Sequence, residues 1–295
     1  KTAYEIRNCD WSSDVCSSDL RRRGRAASTG SGARGGVDSA VRESPSLRVT
    51  PRRDGSSPLN AEELKRAAAA KALESVESGM ALGLGTGSTV RHLVDLLGEA
   101  LRSGRLTDIV GVPTSVQTER QAIDVGIPLV ELGARGELDL TIDGADEVAP
   151  GLDLIKGLGA ALLREKMVAQ ASRRLIIISD DSKLVPRLGT KAPLPVEVVD
   201  WSIDAMQVFI ESTGADVQLR FDTDGNVVRS DNGNVFLDAR YPGGIGDAQS
   251  LERRLLYRAG IVDTGLFLGM AEAAVIASAD SVFTLTPDST IPATS

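Results

Sequence analysis

Between Thr141 and Lys166 the chain concentrates residues able to move protons. It reads Thr-Ile-Asp-Gly-Ala-Asp-Glu at 141–147, Lys-Gly-Leu-Gly at 156–159 and Leu-Leu-Arg-Glu-Lys at 162–166. An apolar run, Leu138 to Ile142, delivers Asp143 and Asp146 at its end. Lys156 follows on a glycine-bearing loop, and Glu165 lies in a stretch rich in alanine and leucine. A carboxylate can shuttle a proton while an ammonium and backbone N–H groups steady the negative charge that develops. The layout therefore suggests proton transfer on an anionic intermediate.

Each residue also has a plainer reading. Glu165 has Ala161, Leu162, Val168 and Ala169 at helical spacing, so it is expected to be poorly solvated and to hold a proton more tightly than usual. The alternative is a surface cluster with Arg164 or Lys166. Lys156 beside Gly157, Leu158 and Gly159 could stabilise an oxyanion, or be a solvated surface charge. Asp143, Gly144, Ala145 and Asp146 could be catalytic, could hold a magnesium ion, or could form a turn and helix cap.

A second segment, Gly83-Leu-Gly-Thr-Gly-Ser-Thr89, falls between an expected strand and an expected helix. Glycines let the backbone approach a ligand, and the free N–H groups of a helix start favour an anion. Thr86, Ser88 and Thr89 would add hydroxyl donors around Gly87. A dinucleotide fingerprint needs glycine at the sixth position. Counting from Gly83 that position is Ser88, and from Gly85 it is Val90, which disfavours NAD. His92 is the only histidine. It is expected to be structural, which disfavours histidine-dependent triads.

These residues need a scaffold. Helices are expected over Glu62–Val76, from the glycine loop through Leu97, and over Ser115–Val125 and Ala160–Ala171. Strands are expected at Met80–Leu84, Asp108–Val112, Leu129–Leu132, Leu138–Ile142 and Leu175–Ser179. Alternating short strands and helices imply parallel βαβ units. After Pro193 the pattern changes. Strand Val196–Val199, helix Ile203–Ser212, strand Asp216–Phe221, a hairpin return at Val235–Asp238, helix Ala248–Ala259 and strand Val262–Phe267 make a β-α-β-β-α-β order. Segments Ala274–Ala277 and Ser281–Leu285 are expected to rejoin the first sheet. The expected fold class is α/β, a Rossmann-like parallel sheet domain with an inserted smaller ferredoxin-like α+β domain. The catalytic domain is placed at 60–192 plus 269–290 and the inserted one at 193–268.

Composition bounds the rest. The 295 residues suffice for more than one domain. No apolar run approaches the roughly 18 residues of a membrane span. Residues 1–20 resemble an in-frame translation of a sequencing-library adapter and are set aside as a non-native scar. The first methionine is Met80, so the native start is expected to be missing or to be a non-Met codon read as another residue. Both cysteines, Cys9 and Cys16, lie in the scar, so the remainder has no disulfide, thiolate nucleophile or cysteine metal site. Residues 21–59 hold nine Lys or Arg against three Asp or Glu, whereas 60–295 hold 22 against 34. The basic segment lacks periodicity and reads as disordered. An acidic body argues against nucleic acid as the main partner. Any anionic substrate must be held by local donors.

Taken together, the segments resemble ribose-5-phosphate isomerase, type A, from about Leu64 to Ala277. Thr86-Gly87-Ser88-Thr89 resembles the family's phosphate and sugar loop, and Asp143-Gly144-Ala145-Asp146 its aspartate motif. Lys156-Gly157-Leu158-Gly159 and the Arg164-Glu165-Lys166 helix resemble its catalytic loop and base. Lys65 and Lys183 fall at substrate-side lysine positions. Pro195-Val-Glu-Val and Asp231-Asn-Gly-Asn also resemble family landmarks. The resemblance implies a metal-independent, cofactor-free, cytoplasmic enzyme that interconverts ribose 5-phosphate and ribulose 5-phosphate. It would act in the non-oxidative pentose phosphate branch, as a homodimer or homotetramer. It implies ring opening assisted by Asp143 and proton transfer between C1 and C2 by Glu165 through an enediolate. Lys156, Asp146 and loop amides would steady that intermediate. Leu158 stands where the family usually has glycine. If that position is left-handed, leucine is expected to cost about 1–2 kcal/mol. Asp200-Trp201 replaces a more usual proline, without a legible consequence. The rivals are a sugar-phosphate sensor on a related fold and a coenzyme A transferase-like enzyme with a glutamate nucleophile.

Overall fold

The computed structural model describes residues 60–291. The adapter-like segment 1–20 and the basic segment 21–59 lie outside the described residues. Helix α1, Ala61–Leu73, opens with a capping box. The Asn60 side chain accepts from the Glu62 and Glu63 N–H groups, and the Glu63 carboxylate accepts from the Asn60 N–H.

Strands β1 (Ala81–Leu84), β2 (Val110–Pro113), β3 (Leu140–Asp143), β6 (Leu175–Asp180), β12 (Ala273–Ala277) and β13 (Val282–Leu285) form one sheet, ordered β13-β12-β6-β3-β1-β2. All pairings are parallel except β12–β13. The chain runs outward from β1 to β2 and then returns to place β3 on the other side of β1. That reversal opens a crevice beyond the carboxyl ends of β1 and β3, where ligands gather in such sheets. Helices α2 (Ser88–Arg102), α3 (Val116–Asp124) and α4 (Leu162–Gln170) connect and cover the strands. Along β6, Ile176 and Ile178 pack into one core while Leu175 and Ile177 pack into another. Both sheet faces are therefore buried, which explains the unbroken aliphatic run.

The inserted unit holds β7 (Leu194–Val198), α5 (Ile203–Glu211), β8 (Asp216–Leu219), β9 (Val235–Arg240), α6 (Ala248–Leu256) and β10 (Ile261–Thr264). Its antiparallel sheet is ordered β10-β7-β9-β8, as the ferredoxin-like reading expected.

Three expectations need correction. Leu129–Leu132 is not a strand but a single bridge between Leu129 and Gly111. Tight turns with positive φ at Gly133 and Gly136 carry the chain away from the β2 edge. The strand expected over 262–267 breaks at Gly265. Its second half, β11 (Leu266–Phe267), joins a small antiparallel sheet with β5 (Leu154–Ile155) and β4 (Glu147–Val148). That sheet was not anticipated, because two-residue strands carry no periodicity. A Cβ at Gly265 would stand 2.3 Å from the Lys156 carbonyl oxygen, so glycine is what lets the two backbones meet. Asp108, expected to open β2, instead takes a positive φ two residues before it.

Candidate active site

Each sequence motif ends a strand or starts a helix around one crevice. The Gly85–Gly87 turn follows β1, Asp143 closes β3, Lys156 follows β5, and Asp180 closes β6. A cavity of about 250 Å³ opens among them. Its first wall is Lys65, Thr86, Gly87, Ser88 and Thr89. Its second is Gly144, Ala145 and Asp146. Lys156, Gly157, Gly159 and Glu165 form the third, and Lys183 lies beside Ser179, Asp180 and Ser182.

The centre of the site is a buried charge cluster. Lys156 is 2% exposed. Its Nζ lies 3.0 Å from Asp143 Oδ2 and 3.1 Å from Glu165 Oε1, and donates to the Gly144 carbonyl at 2.6 Å. Burial alone would lower the lysine's pKa. The carboxylates of Asp143 and Glu165 outweigh that and hold it above the ordinary value, so Lys156 is a cation. Glu165 moves the other way. Burial, then the charge of Asp143, push its pKa up to about 8, against the pull of Lys156. Asp146 is also raised, by burial, against the Leu158 N–H that donates to its Oδ2 at 2.9 Å. Glu165 Oε2 has no hydrogen-bond partner and so keeps an acceptor for a substrate hydroxyl, whereas Asp143 Oδ2 is held by the Lys156 ammonium.

Helix α4 explains the glutamate's environment. Ala161, Leu162, Val168 and Ala169, its neighbours at helical spacing, are all buried. The surface-cluster alternative does not hold. Arg164 donates instead to Asn232 and to the Asp231 carbonyl. Lys166 is buried and pairs with Asp263 at 2.6 Å.

The glycine loop departs from expectation in one respect. Thr86 does not offer its hydroxyl to the cavity. Its Oγ1 sits in a buried hydroxyl network with Thr114, Ser115 and Thr118 at 2.7, 2.8 and 3.2 Å. Its N–H donates to Asp143 Oδ1, tying the β1 loop to the β3 end. Helix α2 has no side-chain cap at Gly87, which leaves its first-turn N–H groups for an anion beside Ser88 and Thr89.

Asp143 and Leu158 do not line the cavity. Asp143 stands behind Lys156, and the Leu158 side chain points outward, 40% exposed. Leu158 has no positive φ; Gly157, at +102°, and Ala160, at +62°, carry the left-handed geometry instead. The strain expected at Leu158 is therefore absent.

Sequence reasoning missed Ser179, Asp180 and Ser182, although a sheet reading that ran β6 to its carboxyl end would have pointed to them. It also missed Glu62, which pairs with Lys65 at 2.8 Å and with His92 at 3.0 Å, giving the histidine a structural place. Among the described residues, no group of three or more His, Cys, Asp or Glu is arranged to hold a metal ion. None of their helices is long and apolar enough to cross a membrane.

The family described as Ribose 5-phosphate isomerase A (phosphoriboisomerase A) matches residues 110–281. A ribose-5-phosphate isomerase A of Chloroflexus aurantiacus is 51% identical over 221 residues, covering 75% of this chain and 92% of the relative. One from Deinococcus radiodurans is 48% identical over 232 residues, covering 77% and 100%. A solved D-ribose-5-phosphate isomerase in complex with phospho-erythronic acid superposes with a TM-score of 0.75 at 39% identity, covering 77% of this chain and 100% of that one.

Proposed function

Because the chain belongs to the ribose 5-phosphate isomerase A family, which interconverts D-ribose 5-phosphate and D-ribulose 5-phosphate, we propose that Glu165 is the base that carries the proton. Membership removes the sensor and coenzyme A transferase alternatives. The reaction is an aldose–ketose isomerisation, and the substrate is a sugar phosphate.

The reading rests above all on one observation. Glu165 is a buried carboxylate on the cavity wall, raised to about 8 and in contact with a buried ammonium. A base with a pKa near the working pH is ionised often enough to act and still basic enough to take a carbon-bound proton. Ring opening is assigned to Asp143 from the family resemblance; buried behind Lys156 and paired with it at 3.0 Å, it acts through that ammonium and not by touching the sugar. Glu165 then removes the proton from C2 of the open aldose and returns it to C1, which leaves the ketose. Between these steps an enediolate carries the negative charge. Lys156, with Asp146 and the N–H groups of the Gly157–Gly159 loop, steadies it. Lys65, Lys183 and the open first turn of α2 supply local positive charge for the phosphate in an otherwise acidic body.

The chemistry requires neither a metal nor an organic cofactor, because a fixed ammonium takes the electrophile's part. From the family alone, we further assign a homodimer or homotetramer in the cytoplasm. The test of the base is Glu165→Gln in a coupled isomerase assay. Turnover is expected to fall about 10²- to 10⁴-fold. Parental turnover by that variant would remove Glu165 from the role.

A further inference from the structure

Arg220 lies just beyond β8, 62 or 63 positions from the loop residues it contacts, yet it grips the catalytic loop. Its Nη1 donates to the Gly157 carbonyl at 2.9 Å and to the Leu158 carbonyl at 3.1 Å. The rest of the guanidinium is held by Asp238. Its Nε donates to Asp238 Oδ2 at 2.8 Å, and Nη2 donates to Asp238 Oδ1. Its guanidinium carbon stands 4.7 Å from the centroid of the buried Phe236 ring. A planar fork held by a carboxylate and a ring has little freedom, so Nη1 is presented at one fixed place.

The loop's other contacts show what this hold achieves. Lys156 N donates to the Gly265 carbonyl, and Leu158 N to Asp146. Both carbonyls at 157 and 158 accept from Arg220, and the Gly157 carbonyl also accepts from the Ala160 N–H at 3.1 Å. Among the described residues, the N–H groups of Gly157 and Gly159 have no acceptor, and both glycines line the cavity. The Leu158 carbonyl and the Gly159 N–H belong to one peptide plane, so capturing that carbonyl on one side presents the Gly159 N–H to the other, while the Gly157 carbonyl shares its plane with the Leu158 N–H that Asp146 accepts.

We propose that Arg220, fixed by Asp238 and Phe236, is a positioning residue. It holds the Gly157 and Leu158 carbonyls, so that the Leu158 N–H stays on Asp146 and the Gly159 N–H is turned toward the charge formed in the reaction. Arg220 does not touch the substrate itself. The inference rests on the reading that this loop steadies an enediolate.

Three variants test it: Arg220→Lys, Arg220→Met and Asp238→Asn. In Arg220→Lys the charge stays and the fork is lost. The readouts are kcat, KM, the unfolding temperature and the inhibition constant of phospho-erythronate, whose planar carboxylate resembles an enediolate in charge and shape. A charged hydrogen bond lost from the transition state predicts a drop in kcat of about 10- to 100-fold. KM should change less than about threefold, and inhibitor affinity should fall in step with kcat. Arg220→Lys should not rescue, because one ammonium cannot hold Asp238 bidentately and both carbonyls. Asp238→Asn should show a weaker form of the same split. Parental kcat in Arg220→Lys would overturn the inference, as would a loss confined to KM. If Arg220→Met fails to fold, Arg220→Lys and Asp238→Asn carry the decision. A Glu165→Gln variant that keeps full turnover would sink the proposed base alone. Slowed Arg220 variants with undiminished inhibitor affinity would sink the loop's proposed role.

Discussion

Lys156 Nζ stands 3.1 Å from Glu165 Oε1, a buried ammonium against a buried carboxylate, yet the glutamate's pKa is raised rather than lowered. An ion pair alone would depress it. Burial acts first, and Asp143 on the lysine's other side adds a second negative charge that the single ammonium must share. The site thus keeps a permanent cation beside a carboxylate that changes protonation near neutral pH.

This arrangement sets the pH dependence of the rate. The ionised glutamate is the active form, so kcat/KM should rise with pH and level off above about 8. A profile already flat below pH 6 would contradict it.

Stability should move oppositely. With a folded pKa of about 8 against an ordinary glutamate value of 4.5, the native state binds more protons than the unfolded chain between those values. Stability therefore falls as pH rises through that window. Thermal unfolding across the same range should show the fall in the parent and not in Glu165→Gln.

Lys156→Met should remove turnover and destabilise the fold. It leaves Asp143 and Glu165 buried without their cation, a loss of about 3–5 kcal/mol for a broken buried pair. The deficit should grow at higher pH, where Glu165 is ionised. Adding Glu165→Gln should restore part of it in urea unfolding.

Two neighbouring substitutions should differ sharply. Leu158→Gly should leave rate and affinity nearly unchanged, because Leu158 is neither left-handed nor on the cavity wall. Gly157→Ala should cost about 1–3 kcal/mol in stability and weaken substrate binding. Its φ is +102°, and a Cβ there would stand 2.7 Å from Leu162 Cβ. Paired denaturation and steady-state kinetics on both variants check this.

Exhaustive chelation should leave turnover intact. If it abolished activity and Mg²⁺ restored it, the reading of Asp143 and Asp146 as magnesium ligands would return.

The site was legible where one residue's chemistry and its helical neighbours decide the outcome. Glu165 on an alanine and leucine stripe already implied a poorly solvated base, and Lys156 beside glycines implied a donor close to backbone. What failed were expectations resting on a single position's surroundings. The Thr86 hydroxyl turned away from the cavity because three other hydroxyls, at 114, 115 and 118, lie beneath it. Strain at Leu158 did not arise because Gly157 and Ala160 take the left-handed geometry on either side.

By itself the sequence determined the alternation of strands and helices, the burial of the aliphatic runs and the order of the motifs. These follow from periodicities of two and 3.6 residues and from turn chemistry, all of which act over a few residues. The tertiary structure alone decided which carboxylate faces Lys156, where the strand at Gly265 divides, and that Arg220 reaches across 62 or 63 positions to hold the catalytic loop. Those outcomes depend on sheet order and on close backbone approach, which bring together atoms that no local pattern connects.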